Sequence, residues 1–147
     1  MTSKNKKILI IDDEKINIIA LAHFLKPKYQ IIVAADGDAG IEAAEKHLPD
    51  LILLDVIMPE MNGFDVLAKL KKFEITKNIP VIFISGMNTN EDEERGISLG
   101  AVDYIFKPFK KSIVKARVET QLKLVEYTLL IDELKKQLDN DREMADY

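Results

Sequence analysis

Four short apolar runs in this chain stop at residues able to do chemistry. Ile8-Leu9-Ile10-Ile11 ends at Asp12-Asp13, Leu51-Ile52-Leu53-Leu54 ends at Asp55, and Tyr104-Ile105-Phe106 ends at Lys107-Pro108. Val81-Ile82-Phe83-Ile84 ends at Ser85-Gly86. Unbroken apolar runs of this length mark strands covered on both faces. In such a sheet the ligand crevice lies beyond the carboxyl ends of the strands. Three carboxylates, a hydroxyl and an ammonium group are therefore expected at one rim. Crowded carboxylates repel one another and call for a cation. An all-oxygen set with room for water suits Mg²⁺, which couples carboxylates to phosphate oxygens, with Mn²⁺ able to stand in.

Within that set, Asp13 and Asp55 are the expected direct ligands, with Asp12 bound directly or through water, and the backbone carbonyl of Ile57 completes the protein's share. One Asp55 oxygen is then left to attack phosphorus, where Lys107 would neutralise the developing charge. Ser85 offers a hydroxyl to a phosphoryl oxygen, and Gly86 leaves space beside it. Taken singly, each has a plainer reading. Asp12 or Asp13 could cap a helix, Lys107 could be a solvated surface residue, and Ser85 could sit in a turn. Their joint arrival at four strand ends is what these plainer readings leave unexplained.

The elements that must position them alternate along the chain. After the first strand, Ile16, Ile19, Ala20 and His23-Phe24 recur at helical spacing up to Pro27. Ile31 to Ala34 reads as a second strand, and Gly37 to His47 as a helix closed by Pro49. Phe64 to Lys72 reads as a helix with Val66, Leu67 and Leu70 inward, and Asn90 to Leu99 as a polar, acidic helix ended by Gly100. Five strands, each followed by a helix, predict an α/β doubly wound parallel sheet of the flavodoxin-like order 2-1-3-4-5. Its switch point falls between strands 1 and 3, which end in Asp12-Asp13 and Asp55.

Composition narrows the class. At 147 residues the chain is one domain's worth of material, and a net charge of −4 gives no general attraction to nucleic acid or anionic membranes. No apolar stretch reaches the ~18 residues that span a bilayer. The basic start, Met1 to Lys7, is followed by too few apolar residues for a signal peptide. Absence of cysteine excludes disulfides and thiolate metal sites and fits a reducing, cytoplasmic setting. Lysines 69, 71 and 72, and 107, 110 and 111, read as solvated helix faces, not a nucleic-acid surface.

The chain resembles the response-regulator receiver domains of bacterial two-component signalling, the chemotaxis-regulator-like family. Asp12-Asp13 resembles the family's acidic pair. Residues 49 to 67, PDLILLDVIMPEMNGFDVL, resemble its phosphoacceptor strand and loop, including Met58-Pro59 and the Asn62-Gly63 turn. Ser85-Gly86 and Lys107-Pro108-Phe109 resemble its hydroxyl-plus-small pair and its lysine with following proline. The likeness covers about residues 6 to 120. It implies that Asp55 accepts a phosphoryl group from a sensor histidine kinase or histidine phosphotransferase, and that the chain is a signalling switch rather than a turnover enzyme. It also implies that Tyr104 is the aromatic switch residue, turning inward on activation, and that output is a repacking of helix 4, strand 5 and helix 5. Ile57 and Met87, two residues beyond Asp55 and Ser85, would flank the path of an attacking water. Both are apolar, so slow self-dephosphorylation is expected.

Three other readings fit less well. An aspartyl phosphatase resembling the haloacid dehalogenases needs an acid at position 57, which is Ile. A flavodoxin-type flavin domain needs a phosphate-cradling loop after strand 1, where Asp-Asp-Glu-Lys would repel phosphate. A degenerate receiver used only for dimerisation would not retain the whole site.

From Ser112 to Asn140 the pattern is one long helix without Gly or Pro, extending about 43 Å. Val114 and Val118 can pack on the sheet. Leu124, Tyr127, Ile131, Leu134 and Leu138 follow alternating 3 and 4 spacing, the seam of a coiled coil. The chain is thus divided into a receiver at 1–120 and, at 121–147, an extended helix serving as a dimerisation stalk or a linker to an output domain. A homodimer through the helix 4–strand 5–helix 5 face and this helix is expected. The competing reading is an overlong amphipathic helix folded back on its own domain.

Overall fold

The computed structural model describes residues 5–145. Residues 1–4 of the basic start and 146–147 of the expected stalk lie outside the described residues. The elements run β1 (Lys7–Ile11), α1 (Lys15–Leu25), β2 (Gln30–Ala34), α2 (Gly37–His47), β3 (Leu51–Leu54), α3 (Gly63–Leu70), β4 (Val81–Ser85), α4 (Asn90–Ser98), β5 (Asp103–Phe106) and α5 (Lys111–Ala145). The strands form one sheet in the order β2-β1-β3-β4-β5, and every neighbouring pair is parallel. This is the flavodoxin-like doubly wound fold.

Strand periodicity divides the core in two. Leu9, Ile11, Ile52, Leu54 and Phe83 point to one face, where Ala44 of α2 and Phe64, Val66, Leu67 and Leu70 of α3 cover them. Ile8, Ile10, Leu51, Leu53, Ile82 and Ile84 point to the other, under Leu21 and Leu25 of α1 and Val114, Val118 and Leu122 of α5. Both faces are needed, since full burial of such a side chain stabilises by roughly 1.5–3 kcal/mol. Helix starts are fixed locally. The Asp36 carboxylate accepts the Ala39 N–H at 2.8 Å, and the Asn62 side chain accepts that of Asp65 at 2.9 Å. Thr89 and Asp92 form a reciprocal capping box at the start of α4, an arrangement of the kind worth about 1 kcal/mol.

Two helices differ from the pattern read in sequence. In α1 the stripe Ile16 and Ile19 faces water, 73 % and 60 % exposed, while Leu21 and Leu25 are buried. Both stripes have helical spacing, and only one can meet a sheet approached from one side. In α5 the helix is unbroken over 35 residues, about 52 Å, so it does not fold back. Leu122 is its last buried residue, Lys6 pairs with Glu126 at 3.8 Å, and everything described after Val125 is exposed.

Candidate functional site

Strand pairing carries the expected residues to one rim. The Asp55 N–H donates to the Ile11 carbonyl at 2.9 Å and the Asp12 N–H to the Ala34 carbonyl at 3.2 Å, which sets the two aspartates side by side. The Lys107 N–H donates to the Ser85 carbonyl at 2.7 Å and brings the end of β5 against the end of β4. Carboxylate oxygens of Asp12, Asp13 and Asp55 all lie within 4.8 Å of one another. Asp12 and Asp55 are 2 % and 3 % exposed, and Asp13 opens to solvent.

One ammonium group serves two of these acids. Lys107 Nζ lies 3.4 Å from Asp12 Oδ2 and 3.4 Å from Asp55 Oδ1. Asp12 Oδ1 also accepts the Glu14 N–H at 2.8 Å, so Asp12 organises the entry to α1 as well as facing the pocket. Asp55 Oδ1 accepts the Ile57 N–H at 3.4 Å, whereas Asp55 Oδ2 is buried without a hydrogen-bond partner. Burial pushes the Asp55 carboxyl from 3.8 up to about 6, the charge on Asp12 adds to the rise, and Lys107 opposes it. The pocket carries more negative charge than its lysine offsets.

The hydroxyl side of the pocket is wired through a main chain. Ser85 is fully buried, and its Oγ accepts the Met87 N–H at 3.1 Å. The Met87 carbonyl in turn accepts the Tyr104 hydroxyl at 2.8 Å. Tyr104 is 3 % exposed, its ring tilted against Phe83 and edge-on to Phe106, with centroids 5.9 and 5.4 Å away. The ring is thus already turned inward. Burial raises the Tyr104 phenol, and the Ser85 hydroxyl acts against that rise. Gly86 has open space where a Cβ would stand. Ile57 is 58 % exposed, and Met87 packs partly on the core.

Three supporting positions were not read from the sequence. A Cβ at Gly63 would overlap the Asp55 carbonyl oxygen, while the Gly63 N–H donates to the Val56 carbonyl at 2.7 Å. The Asn62-Gly63 turn was visible, but its close approach to the end of β3 was not. A Cβ at Gly96 would stand 3.0 Å from both the Phe83 and Tyr104 rings, so this glycine makes room for the inward tyrosine. Asp103 accepts the Tyr104 N–H at 2.8 Å and holds Arg117 of α5 through two bonds of 2.7 and 2.8 Å. No spacing rule foretells that clamp, because its partners are brought together only by packing.

A doubly wound sheet whose rim joins three carboxylates, a lysine and a buried hydroxyl defines a phosphoacceptor switch domain. A family model described as the response regulator receiver domain matches residues 8–119, and the chain belongs to that family of two-component signalling proteins. It is 44 % identical over 115 residues to a probable cyclic di-GMP phosphodiesterase of Vibrio cholerae, covering 78 % of this chain and 26 % of that protein. It is 37 % identical over 140 residues to the response regulator PleD of Caulobacter vibrioides, covering 95 % of this chain and 30 % of the relative. The chain therefore spans less than a third of either relative's length. Among solved structures, the chemotaxis protein CheY4 of Vibrio cholerae superposes with a TM-score of 0.74 at 27 % identity, over 78 % of this chain and 97 % of that one.

Proposed function

We propose that Asp55 takes a phosphoryl group from the phosphohistidine of a sensor histidine kinase or histidine phosphotransferase, in a Mg²⁺-dependent step. The observation that carries this reading is the buried, unpartnered Asp55 Oδ2 inside a cluster of three carboxylates. That oxygen forms the new bond to phosphorus as the donor's P–N bond breaks, the electron pair returning to the imidazole nitrogen. Lys107, 3.4 Å from the other Asp55 oxygen, is placed to neutralise the phosphoryl charge. The Ser85 hydroxyl hydrogen-bonds a phosphoryl oxygen.

The donor set fits a hard divalent cation: three oxygen ligands with an orphaned oxygen and excess negative charge. Asp12, Asp13, Asp55 and the Ile57 carbonyl would hold Mg²⁺, or Mn²⁺ in its place. Bound there, the cation draws charge from the carboxylates and the phosphoryl oxygens.

Ser85, moving toward the phosphoryl group, would pull on the Met87 main chain and so on Tyr104, shifting the population between two packings of α4, β5 and α5. Tyr104 is already inward, so phosphorylation holds that rotamer rather than creating it. The division into a receiver at 1–120 and a stalk or linker at 121–147 belongs to this reading, as does a homodimer through the α4–β5–α5 face and the α5 extension. Signalling passes to a protein partner or a further domain, with no direct contact to nucleic acid or membrane. No helix among the described residues is long and apolar enough to cross a membrane, and a cytoplasmic site of action accords with phosphoryl transfer from a kinase.

Exposure to acetyl phosphate and Mg²⁺ should add one phosphoryl mass to the wild type and none to Asp55→Ala. An unmodified wild type after prolonged exposure would end the proposal. Dimer affinity should rise with the phosphoryl mimic beryllofluoride, and equal affinity with and without it would remove the coupling to α5.

A further inference from the structure

Helix α5 carries two apolar faces that point in opposite directions. Val114, Val118 and Leu122 form one, buried against the sheet. Leu124, Tyr127, Ile131, Leu134 and Leu138 form the other, each between 50 and 61 % exposed. At 3.6 residues per turn the second stripe lies about 160° round the helix from the first. The receiver cannot reach it, because the helix would have to break and turn over, and it is continuous from Lys111 to Ala145.

We propose that this stripe is covered by the same stripe of a second copy, the two α5 helices running parallel and in register. The inference deepens the dimer reading above and rests on α5 alone, not on phosphoryl chemistry. With Leu124 at heptad position a, parallel pairing stacks Leu124, Tyr127, Ile131, Leu134 and Leu138 each on its own counterpart. All five layers are apolar. Antiparallel pairing sets a against d, and its central registers put Leu124 against Asp141, Leu138 against Thr120, or Ile131 against Asp141. The flanking positions agree. Parallel neighbours across the seam are Lys123 with Thr128, Leu130 with Lys135, and Gln137 with Arg142, so no like charges meet between Leu124 and Leu138, and Asp141, the next d position, marks the end of the seam. Ile131 at a followed by Leu134 at d is the choice that favours two parallel strands.

Toward the receiver the apolar stripe is interrupted at the a position by Arg117, which Asp103 holds, while the d side stays open. Ile113, 42 % exposed, and Thr120, also exposed, occupy earlier d positions on the same side of α5. A parallel pair can extend along the receiver's own surface, whereas an antiparallel pair would carry the two receivers to opposite ends.

The chain contains no cysteine, which makes cross-linking decisive. Under oxidation, the full chain carrying Leu138→Cys should become a covalent dimer. Leu129→Cys, on the opposite side of the helix, should stay uncross-linked. Ile131→Lys combined with Leu134→Lys should sediment as a monomer while its receiver core keeps wild-type protection from hydrogen exchange. A wild type that sediments as a monomer, a dimer in which Leu138→Cys fails to cross-link, or equal cross-linking of Leu129→Cys would overturn the proposal. Cross-linked Leu138→Cys in a chain that takes no phosphoryl group would support it while removing the phosphoacceptor reading.

Discussion

At the sheet rim, Asp12 and Asp55 are charged groups held out of water. Along the outer half of α5, Ile131, Leu134 and Leu138 are apolar groups held in it. Each region reverses the usual placement and leaves free energy to be recovered. A buried unpaired charge costs several kcal/mol, and an exposed Leu forgoes roughly 1.5–3 kcal/mol. The difference lies in what can supply the recovery. On the proposed reading, the rim would recover it from a cation and a phosphoryl group held in fixed geometry by strand register. The helix needs only a surface of matching period. The first requirement selects a chemistry and the second selects a neighbour.

The largest expected effect separates the two regions outright. Lys107 is the single ammonium within salt-bridge distance of Asp55 among the described residues. Lys107→Ala should slow phosphorylation by acetyl phosphate about 10²–10³-fold, the cost of losing one preorganised charge partner. Ile131→Lys with Leu134→Lys should leave that rate unchanged. If the α5 double variant slows the reaction comparably, α5 takes part in the chemistry at the rim rather than only responding to it.

Next in size is a contrast within α5 itself. Leu122 is 6 % exposed and Leu129 is 63 % exposed, though both are leucines on one helix. Leu122→Ala should lower unfolding stability by about 2–4 kcal/mol in a denaturant titration. Leu129→Ala should stay within about 0.5 kcal/mol. Equal losses would mean that the outer helix packs on its own domain after all.

The rim then makes a prediction in pH. The Asp55 carboxyl, raised from 3.8 to about 6, keeps its proton in the folded chain at pH values where the unfolded chain has lost it. Between those values the folded state binds more protons, so stability falls as pH rises through the window. Asp55→Asn removes that cost. In chelator it should be more stable than wild type near pH 8, by about 3 kcal/mol, with the advantage vanishing below about pH 4. Added Mg²⁺ should narrow the gap at pH 8 by stabilising the wild type. A gain that is the same at both pH values would show that the carboxylate is not destabilised as described.

Much of this was legible in the sequence because strand ends are legible. Once Ile8–Ile11, Leu51–Leu54, Val81–Ile84 and Tyr104–Phe106 are read as strands, chain order alone delivers Asp12, Asp55, Ser85 and Lys107 to one edge. The stripe on α1 was not legible in the same way. Ile16 and Ile19 have helical spacing as good as that of Leu21 and Leu25, and only the direction from which the sheet is approached decides which is buried. Gly63, Gly96 and the Asp103–Arg117 clamp were hidden for another reason. Their roles depend on distances between elements far apart in sequence, and no local period encodes those.

The smallest expected effect concerns how long the phosphoryl group would last. Ile57 is 58 % exposed and its N–H donates to Asp55 Oδ1 at 3.4 Å, so its side chain sits beside Asp55 and outside the core. An apolar group there excludes water and cannot orient it. Ile57→Asn adds a hydrogen-bonding amide at little structural cost and should shorten the lifetime of phosphorylated Asp55 on the order of tenfold, well below the 10²–10⁴ supplied by a full general base. Met87→Glu is a harder test, because Met87 packs partly on the core. Its links to Ser85 and Tyr104, however, run through the main chain and survive the change of side chain. The two substitutions together should therefore act on hydrolysis without disturbing the switch. An unchanged decay rate of the phosphorylated double variant would mean that access, not orientation, limits the attacking water.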